Sequence, residues 1–178
     1  MPATVTSLAP RRQAAVTGVI TVLGIDPGDT VGLCLVTWRR PCVVAESVRA
    51  FQCDRGAAPG MCAMLLNAHP RLITCAGMEA FRSGTRSARL KGTHADHTRD
   101  LIILLAGLLR QHGVVPVTRP AATVKTWATD ARLDAAGLLA ATAGQRHARD
   151  AARHAAYTAC RDAGLPDPLS RPGQAGPR

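Results

Sequence analysis

The stretch "TVLGIDPGDTVGLCLV", residues 21–36, carries an acidic residue at the end of an apolar run and a turn directly after it. Asp26 follows residues typical of a strand, and Pro27 and Gly28 then end the run. A carboxylate at the end of a buried strand costs free energy unless it is paired or binds a metal. Either Asp26 belongs to a functional site, or this run is not a buried strand.

The first half of the chain is strand-like. "VITVLGID" and "VGLCLVTW" flank the Pro-Gly-Asp turn and predict an antiparallel hairpin. "CVVAESVRAFQ" predicts a third strand, and "RLITCAGMEAF" predicts a buried fourth strand that ends at Glu79. Residues 59–68, which lie between these two segments, predict a short helix.

Helical spacing dominates from residue 95. The stripe over residues 95–112 consists of Leu101, Leu104, Leu105, Leu108 and His112. Ile102, Ile103 and Leu109 widen it, which indicates burial on two sides, either inside the fold or against a second subunit. "VVPVT" predicts a fifth strand, and Ala-rich helix follows to about residue 163. This order indicates an α/β fold whose five-stranded mixed sheet, with three antiparallel strands and then parallel ones, is flanked by helices.

Composition sets the domain boundaries and the expected compartment. Residues 1–17 predict a disordered arm, residues 18–164 one domain, and the Pro- and Gly-rich residues 165–178 a flexible tail. The sequence has neither a secretory signal nor an apolar run of the ~20 residues that cross a membrane. Its six cysteines contain no C-x-x-C pair. Reduced thiols and a cytoplasmic address are therefore expected.

The chain is strongly basic, with 22 Lys and Arg residues against 12 Asp and Glu residues, a net charge of +10. Lys91 and Lys125 are the only lysines, so arginine supplies nearly all of this charge. Arginine prefers flat, bidentate partners such as phosphate, which favours a polyanionic partner. The alternative is that a GC-rich genome raises the Arg and Ala content together.

Asp26 and Glu79 each end a predicted buried strand. If the two strands are neighbours, their spacing of ~4.8 Å lets both carboxylates reach one ion. Oxygen ligands of this kind suit Mg²⁺ or Mn²⁺.

The segment "RHARDAARHAAYTACRDAG", residues 146–164, predicts a helix with three distinct faces. One face carries small alanines, another carries arginines, and the edge between them carries His147, Asp150 and His154. That edge is expected to bring His147 and Asp150 beside the strand carboxylates while the arginines face a polyanion. Alternatively, the charged residues form a solvated face stabilised by Asp–Arg pairs.

These motifs together resemble the RuvC-type Holliday-junction resolvases of the RNase H-like superfamily. The resemblance covers roughly residues 20–160 and rests on "GIDPG", Glu79, "SARLKG", "RPAATVK" and a late H-x-x-D-A, in that order. It implies an RNase H-like nuclease domain. The segment after Lys125 contains no further lysine, which departs from the family pattern, and Arg132 is the candidate substitute.

The resemblance also implies a chemistry. Asp26, Glu79, His147 and Asp150 are the expected catalytic and metal-binding residues, holding two Mg²⁺ or Mn²⁺ ions about 4 Å apart. The implied enzyme is a crossover junction endodeoxyribonuclease that cuts four-way DNA junctions by paired hydrolysis, leaving 5′-phosphate and 3′-hydroxyl ends. It is expected to be a homodimer formed through helix 95–112, in a bacterial cell or a phage-infected host.

A basic segment follows Glu79 and is the expected site of DNA contacts. Phe81 either stacks on a base or closes the core at the end of the strand. The full set of predicted DNA-binding residues is Phe81, Arg82, Arg86, Arg89, Lys91, Lys125, Arg149 and Arg153.

Other functions fit parts of the pattern. An RNase H-like nuclease acting on RNA–DNA hybrids, flaps or other branched DNA would carry the same carboxylates, as would a DNA-binding relative that keeps the fold without catalysis. "GIDPGDT" also resembles the phosphate loop of actin-like ATPases, but those proteins need two such domains.

Overall fold

The computed structural model describes residues 18–69, 72–81 and 93–170, and within these ranges the chain forms five strands and six helices. The strands are β1 (Val19–Asp26), β2 (Thr30–Arg39), β3 (Ser47–Asp54), β4 (Cys75–Glu79) and β5 (Pro116–Arg119). The helices are α1 (Ala58–Ala68), α2 (Thr93–Gln111), α3 (Ala121–Trp127), α4 (Asp130–Ala135), α5 (Leu138–Ala141) and α6 (Arg146–Arg161). Predictions for residues 1–17, 82–92 and 171–178 lie outside the described residues.

The strands form one mixed sheet in the order β3-β2-β1-β4-β5. The pairs β1–β2 and β2–β3 are antiparallel, whereas β1–β4 and β4–β5 are parallel. This confirms the predicted α/β fold with three antiparallel strands followed by parallel ones. Because β1 and β4 run side by side in the same direction, their carboxyl ends meet at one edge of the sheet.

Successive side chains of a strand point to opposite faces of the sheet, and different helices pack on the two faces. Leu23 and Ile25 of β1 belong to the core cluster that also contains residues of α1 and α2. Ile20 and Val22 belong to the cluster formed with α4, α5 and α6. The alternation therefore places Asp26, two residues after Gly24, on the α6 side of the sheet.

Helix α6 lies against the sheet at three glycines, which belong to the three neighbouring strands β2, β1 and β4. A Cβ atom on Gly32 would lie 2.0 Å from the carbonyl oxygen of His147, and one on Gly24 would lie 1.9 Å from that of Ala151. A Cβ atom on Gly77 would lie 2.2 Å from the Thr158 hydroxyl oxygen. The backbone of α6 lies so close to these strands that there is no room for a side chain at the three glycine positions.

The small-residue face predicted for the last helix is the face that packs on the sheet. Its members are all buried, and they are Ala148, Ala151, Ala152, Ala155 and Ala159. Alanine also has the highest helix propensity of any residue, so the same residues favour both the helix and its close approach to the sheet.

Helix α2 differs in part from the predicted stripe. Leu101, Leu105 and Leu109 are buried in the core. Leu104 was predicted to lie on the same stripe, but its side chain is exposed, as is that of Ile103. The core therefore covers only one side of this helix, because the sheet and α1 contact it from one direction.

The packed domain extends past its predicted end at residue 164. Leu165 is buried in the core cluster on the α6 side. The Arg132 Nε–H donates a hydrogen bond to the Asp167 carboxylate at 3.0 Å. Residues 165–167 are thus part of the packed structure rather than of a flexible tail, and Arg132 is committed to this contact.

The six cysteines all lie within the described ranges and are free thiols. In the part of the chain that the structure describes, no helix has the length and apolar character needed to cross a membrane.

Candidate active site

Two carboxylates meet at the shared carboxyl edge of β1 and β4. Strand pairing aligns Ile25 with Met78, and Asp26 and Glu79 follow directly on the two strands. Each acid comes two residues after a glycine, Gly24 or Gly77, so both point to the face that α6 covers. The two carboxyl groups are close enough for the charge of Glu79 to raise the pKa of Asp26. The predicted convergence of these two acids is present in the structure.

The first turn of α6 adds an imidazole. His147 Nδ1 lies 2.9 Å from Asp26 Oδ2. His147 is held at this place because its backbone N–H donates to Gln52 Oε1 at 2.6 Å, and Gln52 belongs to the edge strand β3. Gln52 is a site residue that sequence reasoning missed. It lies on the same face of β3 as Ala50, which packs on the α6 side.

Asp150 comes one turn later on α6 and is buried. Its Oδ2 accepts a hydrogen bond from Lys125 Nζ at 2.8 Å, and its Oδ1 accepts one from the Arg153 guanidinium. Asp150 is therefore near the other acids but is neutralised by two cations of the chain itself. The partnership with Lys125 of α3 was not visible in the sequence, because the two residues are 25 positions apart.

Arg153 does not lie free on a basic face as predicted. Besides Asp150, its guanidinium donates to Asp130 Oδ1 at 2.5 Å and to the carbonyl oxygen of Ala128 at 3.2 Å. The side chain is only 17% exposed. The loop between α3 and α4 brings Asp130 and Ala128 to this arginine, so its charge is satisfied within the chain.

The electrostatics of the site are those of crowded carboxylates. Burial raises the pKa of Asp26 to about 7, against the lowering effect of the hydrogen bond with His147, and the charges of Glu79 and Asp150 raise it further. Burial also acts to raise the pKa of Asp150, but the hydrogen bonds and charges of Lys125 and Arg153 outweigh it and leave that pKa lowered. Of these two carboxyl groups, Asp26 is therefore the one whose charged form the site disfavours.

Glu79 has a further neighbour on α6. His154 Nε2 lies 3.8 Å from Glu79 Oε2, and His154 is almost completely buried. Burial acts to raise the pKa of Glu79, but the neighbouring His154 and Asp26 outweigh it and leave the pKa lowered. The sequence placed His154 on the same helix edge as His147 and Asp150 and gave it no role.

A basic cleft of about 410 Å³ opens beside Asp150 at the start of α6. Its cationic lining consists of Lys125, Arg146, Arg149 and Arg153. Arg153 and Lys125 are both paired with Asp150, and Lys125 is nevertheless 43% exposed. Lys125 and Arg149, two of the predicted DNA-binding residues, therefore lie together next to the carboxylates.

A second cleft of about 310 Å³ opens beside Glu79, with both polar and apolar surface in its lining. Phe81 and Ile102 contribute to its walls. The Arg99 guanidinium lies 5.5 Å from the centre of the Phe81 ring. The other predicted DNA-binding residues of this region, Arg82, Arg86, Arg89 and Lys91, fall outside the described residues.

The four predicted ligands fit hard divalent cations by their chemistry, since three are carboxylates and one is an imidazole. Burial, followed by the charges of Glu79 and Asp150, raises the pKa of Asp26, and a bound cation would stabilise its charged form. Among the described residues, no group of three or more His, Cys, Asp or Glu side chains surrounds a common metal position. The Asp150 carboxylate is hydrogen-bonded to Lys125 and Arg153, and these hydrogen bonds would have to break before it could bind a metal together with the other ligands.

The fold is similar to that of solved RuvC structures. One similar structure is described as Thermus thermophilus RuvC in complex with a Holliday junction substrate; it is 16% identical, with a TM-score of 0.57, covering 81% of this chain and 97% of that one. Another is a Thermus thermophilus RuvC structure that is 17% identical, with a TM-score of 0.58, covering 79% and 93%. No family model and no curated protein sequence matches the chain.

Proposed function

We propose that this chain is a metal-dependent endonuclease that cuts branched DNA, with four-way junctions as its substrate and 5′-phosphate and 3′-hydroxyl ends as its products. The observation that carries the proposal is the position of Asp26 and Glu79 at the ends of neighbouring parallel strands, with His147 in contact with Asp26 and Asp150 one turn later on the same helix. The junction bound to one of the similar structures favours this substrate.

The four candidate side chains would hold Mg²⁺ or Mn²⁺, and two ions are expected. Bound there, the cations would supply charge neutralisation at the phosphate and a more acidic water. Asp26 contacts His147 and lies next to Glu79 at the edge of the sheet, so it would be a ligand shared by the ions. Asp150 completes the set on the side of the basic cleft.

The basic cleft is suited to hold the DNA backbone next to the carboxylates. Arginine and lysine bind phosphate by charge and by hydrogen bonds, without regard to base sequence. Lys125 is 43% exposed and lies against Asp150, so its ammonium group is within reach of a phosphate bound at the site. Arg146 and Arg149 extend the positive surface along α6. The predicted contacts from residues 82–91 would add to it.

A junction-cutting enzyme needs two sites that make paired nicks, and hence a dimer. Ile103 is 63% and Leu104 50% exposed on α2, on the side of the helix that the core does not cover. Neighbouring exposed apolar side chains favour burial against another subunit. We therefore propose a homodimer formed through α2.

The test is incubation of the purified chain with a synthetic four-way junction and Mg²⁺, beside a linear duplex and an RNA–DNA hybrid of matched sequence. Paired nicks in the junction, abolished by EDTA, are expected. The Asp26→Asn variant should still bind the junction in a gel-shift assay, and should lose cleavage by a factor of at least about 10².

Two results would redirect the proposal. Cleavage of the hybrid in preference to the junction would identify the chain as an RNase H-like nuclease that acts on RNA–DNA hybrids. Junction binding with no cleavage in Mg²⁺ or Mn²⁺ would leave a DNA-binding relative without catalysis.

A further inference from the structure

His154 is a buried titratable residue that the proposed metal site does not use. It lies on α6 one turn after Asp150 and is 2% exposed. An imidazole carries two polar nitrogens, and a polar atom enclosed without a partner costs free energy of order 1–3 kcal/mol. Alanine occupies most of the neighbouring positions on this helix face, so packing alone does not call for a histidine here.

The unsatisfied nitrogen of His154 faces an active-site acid. Its Nε2 atom is buried and has no hydrogen-bond partner among the residues that the structure describes. The atom that it approaches is Glu79 Oε2, at 3.8 Å. This separation exceeds a hydrogen bond by less than 1 Å. A small rotation of the half-buried Glu79 side chain closes it.

The backbone holds His154 in this position firmly. A Cβ atom on Gly77 would lie only 2.7 Å from the His154 carbonyl oxygen, so α6 and β4 are in direct backbone contact at this residue. Glu79 lies two residues after Gly77 on the same strand face. The backbones that carry His154 and Glu79 are therefore fixed relative to each other by the fold, and only rotation of the side chains is needed to form the hydrogen bond.

We propose that His154 is a positioning residue for Glu79, which it orients by donating its Nε2–H to Oε2. This inference rests on the proposed function, in which Glu79 is a metal ligand. Carboxylates that bind metals are commonly held by a further hydrogen bond, and loss of that bond typically lowers metal affinity or activity 10–100-fold. A neutral donor suits this role because it fixes the carboxylate and leaves its negative charge to the cation.

The competing explanation is that His154 only fills space. The two explanations differ in what they predict for Leu and Gln at this position. Leucine fills a similar volume and has no donor. Glutamine carries an amide N–H that reaches a similar distance. A space-filling residue would be replaced at least as well by Leu as by Gln.

The experiment compares wild type, His154→Leu and His154→Gln by Mn²⁺ titration of the metal-free full-length chain in a calorimeter, and by junction-cleavage kinetics. For His154→Leu we expect a roughly tenfold higher Kd for Mn²⁺ and a kcat lowered at least about tenfold, with the KM for the junction unchanged. His154→Gln should recover most of both losses. Melting temperatures identify a variant that fails to fold.

The outcomes separate this inference from the proposed function. Wild-type Mn²⁺ affinity in a folded His154→Leu variant, or no advantage of Gln over Leu, would overturn the role of His154 and leave the nuclease proposal standing. A wild-type chain that binds no Mn²⁺ would overturn both. If wild type binds Mn²⁺ but cuts hybrids instead of junctions, the Leu and Gln comparison still decides the role of His154.

Discussion

Asp26 binds its proton more tightly in the folded chain than in the unfolded chain. Its pKa is raised from 3.8 to about 7 by burial and by the nearby carboxylates. A raised carboxyl pKa means that folding is most favoured while the group stays protonated. The contribution of Asp26 to stability is therefore full below about pH 4, and is lost as the pH rises to about 7.

We predict that Asp26→Asn stabilises the metal-free protein at pH 8 by roughly 2–6 °C in melting temperature. The amide keeps a similar shape and carries no charge, so the repulsion from Glu79 and Asp150 disappears. At pH 4 the variant and wild type should melt at similar temperatures. Calorimetry in EDTA at the two pH values checks this, and an equal difference at both would contradict it.

Lys125 is the internal counter-ion of Asp150, and it competes with any added cation for that carboxylate. We predict that Lys125→Met binds Mn²⁺ more tightly than wild type, by on the order of threefold or more, because Asp150 is partly released. Lys125→Arg is the matched control and should stay near wild type. Titration calorimetry in the absence of DNA gives the comparison. Weaker binding by Lys125→Met would show that the lysine does not oppose the metal.

The candidate ligands could be predicted from the sequence because each has a local signal. Asp26 and Glu79 end apolar runs, and His147 and Asp150 share a helix edge. The partners of these residues could not be predicted in the same way. Lys125 meets Asp150, and Asp130 meets Arg153, only because of the path that the chain takes around α3 and α4.

At the level of elements, the contact between α6 and the sheet sets the position of His147 and Asp150. We predict that Gly32→Ala lowers the free energy of unfolding by roughly 1–3 kcal/mol, because the new methyl group meets the backbone of His147. Displacement of the helix start should also lower junction cleavage more than junction binding.

The matched control is Gly60→Ala in α1. A Cβ atom there meets nothing within 4 Å. Alanine is a better helix former than glycine by up to about 1 kcal/mol, so this variant should be as stable as wild type or more stable. Urea unfolding of the two variants provides the test. Equal stability of Gly32→Ala and wild type would mean that α6 is not confined as described.

The strands and their order could be predicted because a two-residue alternation and tight turns are local properties. The three glycines facing α6 look like ordinary weak points of a strand in the sequence, since their role depends on a helix more than 60 residues away in the chain. Leu104 was misassigned for a related reason. Its apolar character is local, but its exposure depends on which side of α2 the sheet occupies.

For the whole molecule, the exposed apolar side of α2 bears on assembly. We predict that Leu104→Glu converts a dimer of the wild-type chain into a monomer, since a charge would have to be buried in the interface. Val44→Glu is the control, because Val44 is equally exposed but lies by Gly137, on the opposite side of the sheet. Sedimentation analysis reports the mass. A monomeric wild type would remove the basis for paired nicking through α2.

The three glycines also make the positions of the candidate catalytic residues on α6 depend on the integrity of the sheet. Because the backbone of α6 packs directly on the strands, we expect that the helix does not separate from the sheet while the strands stay paired. Heat inactivation of cleavage and disappearance of the strand signal in circular dichroism should then follow a single curve. That coincidence would mean that the chain has no half-open form in which the sheet is intact and cleavage is lost.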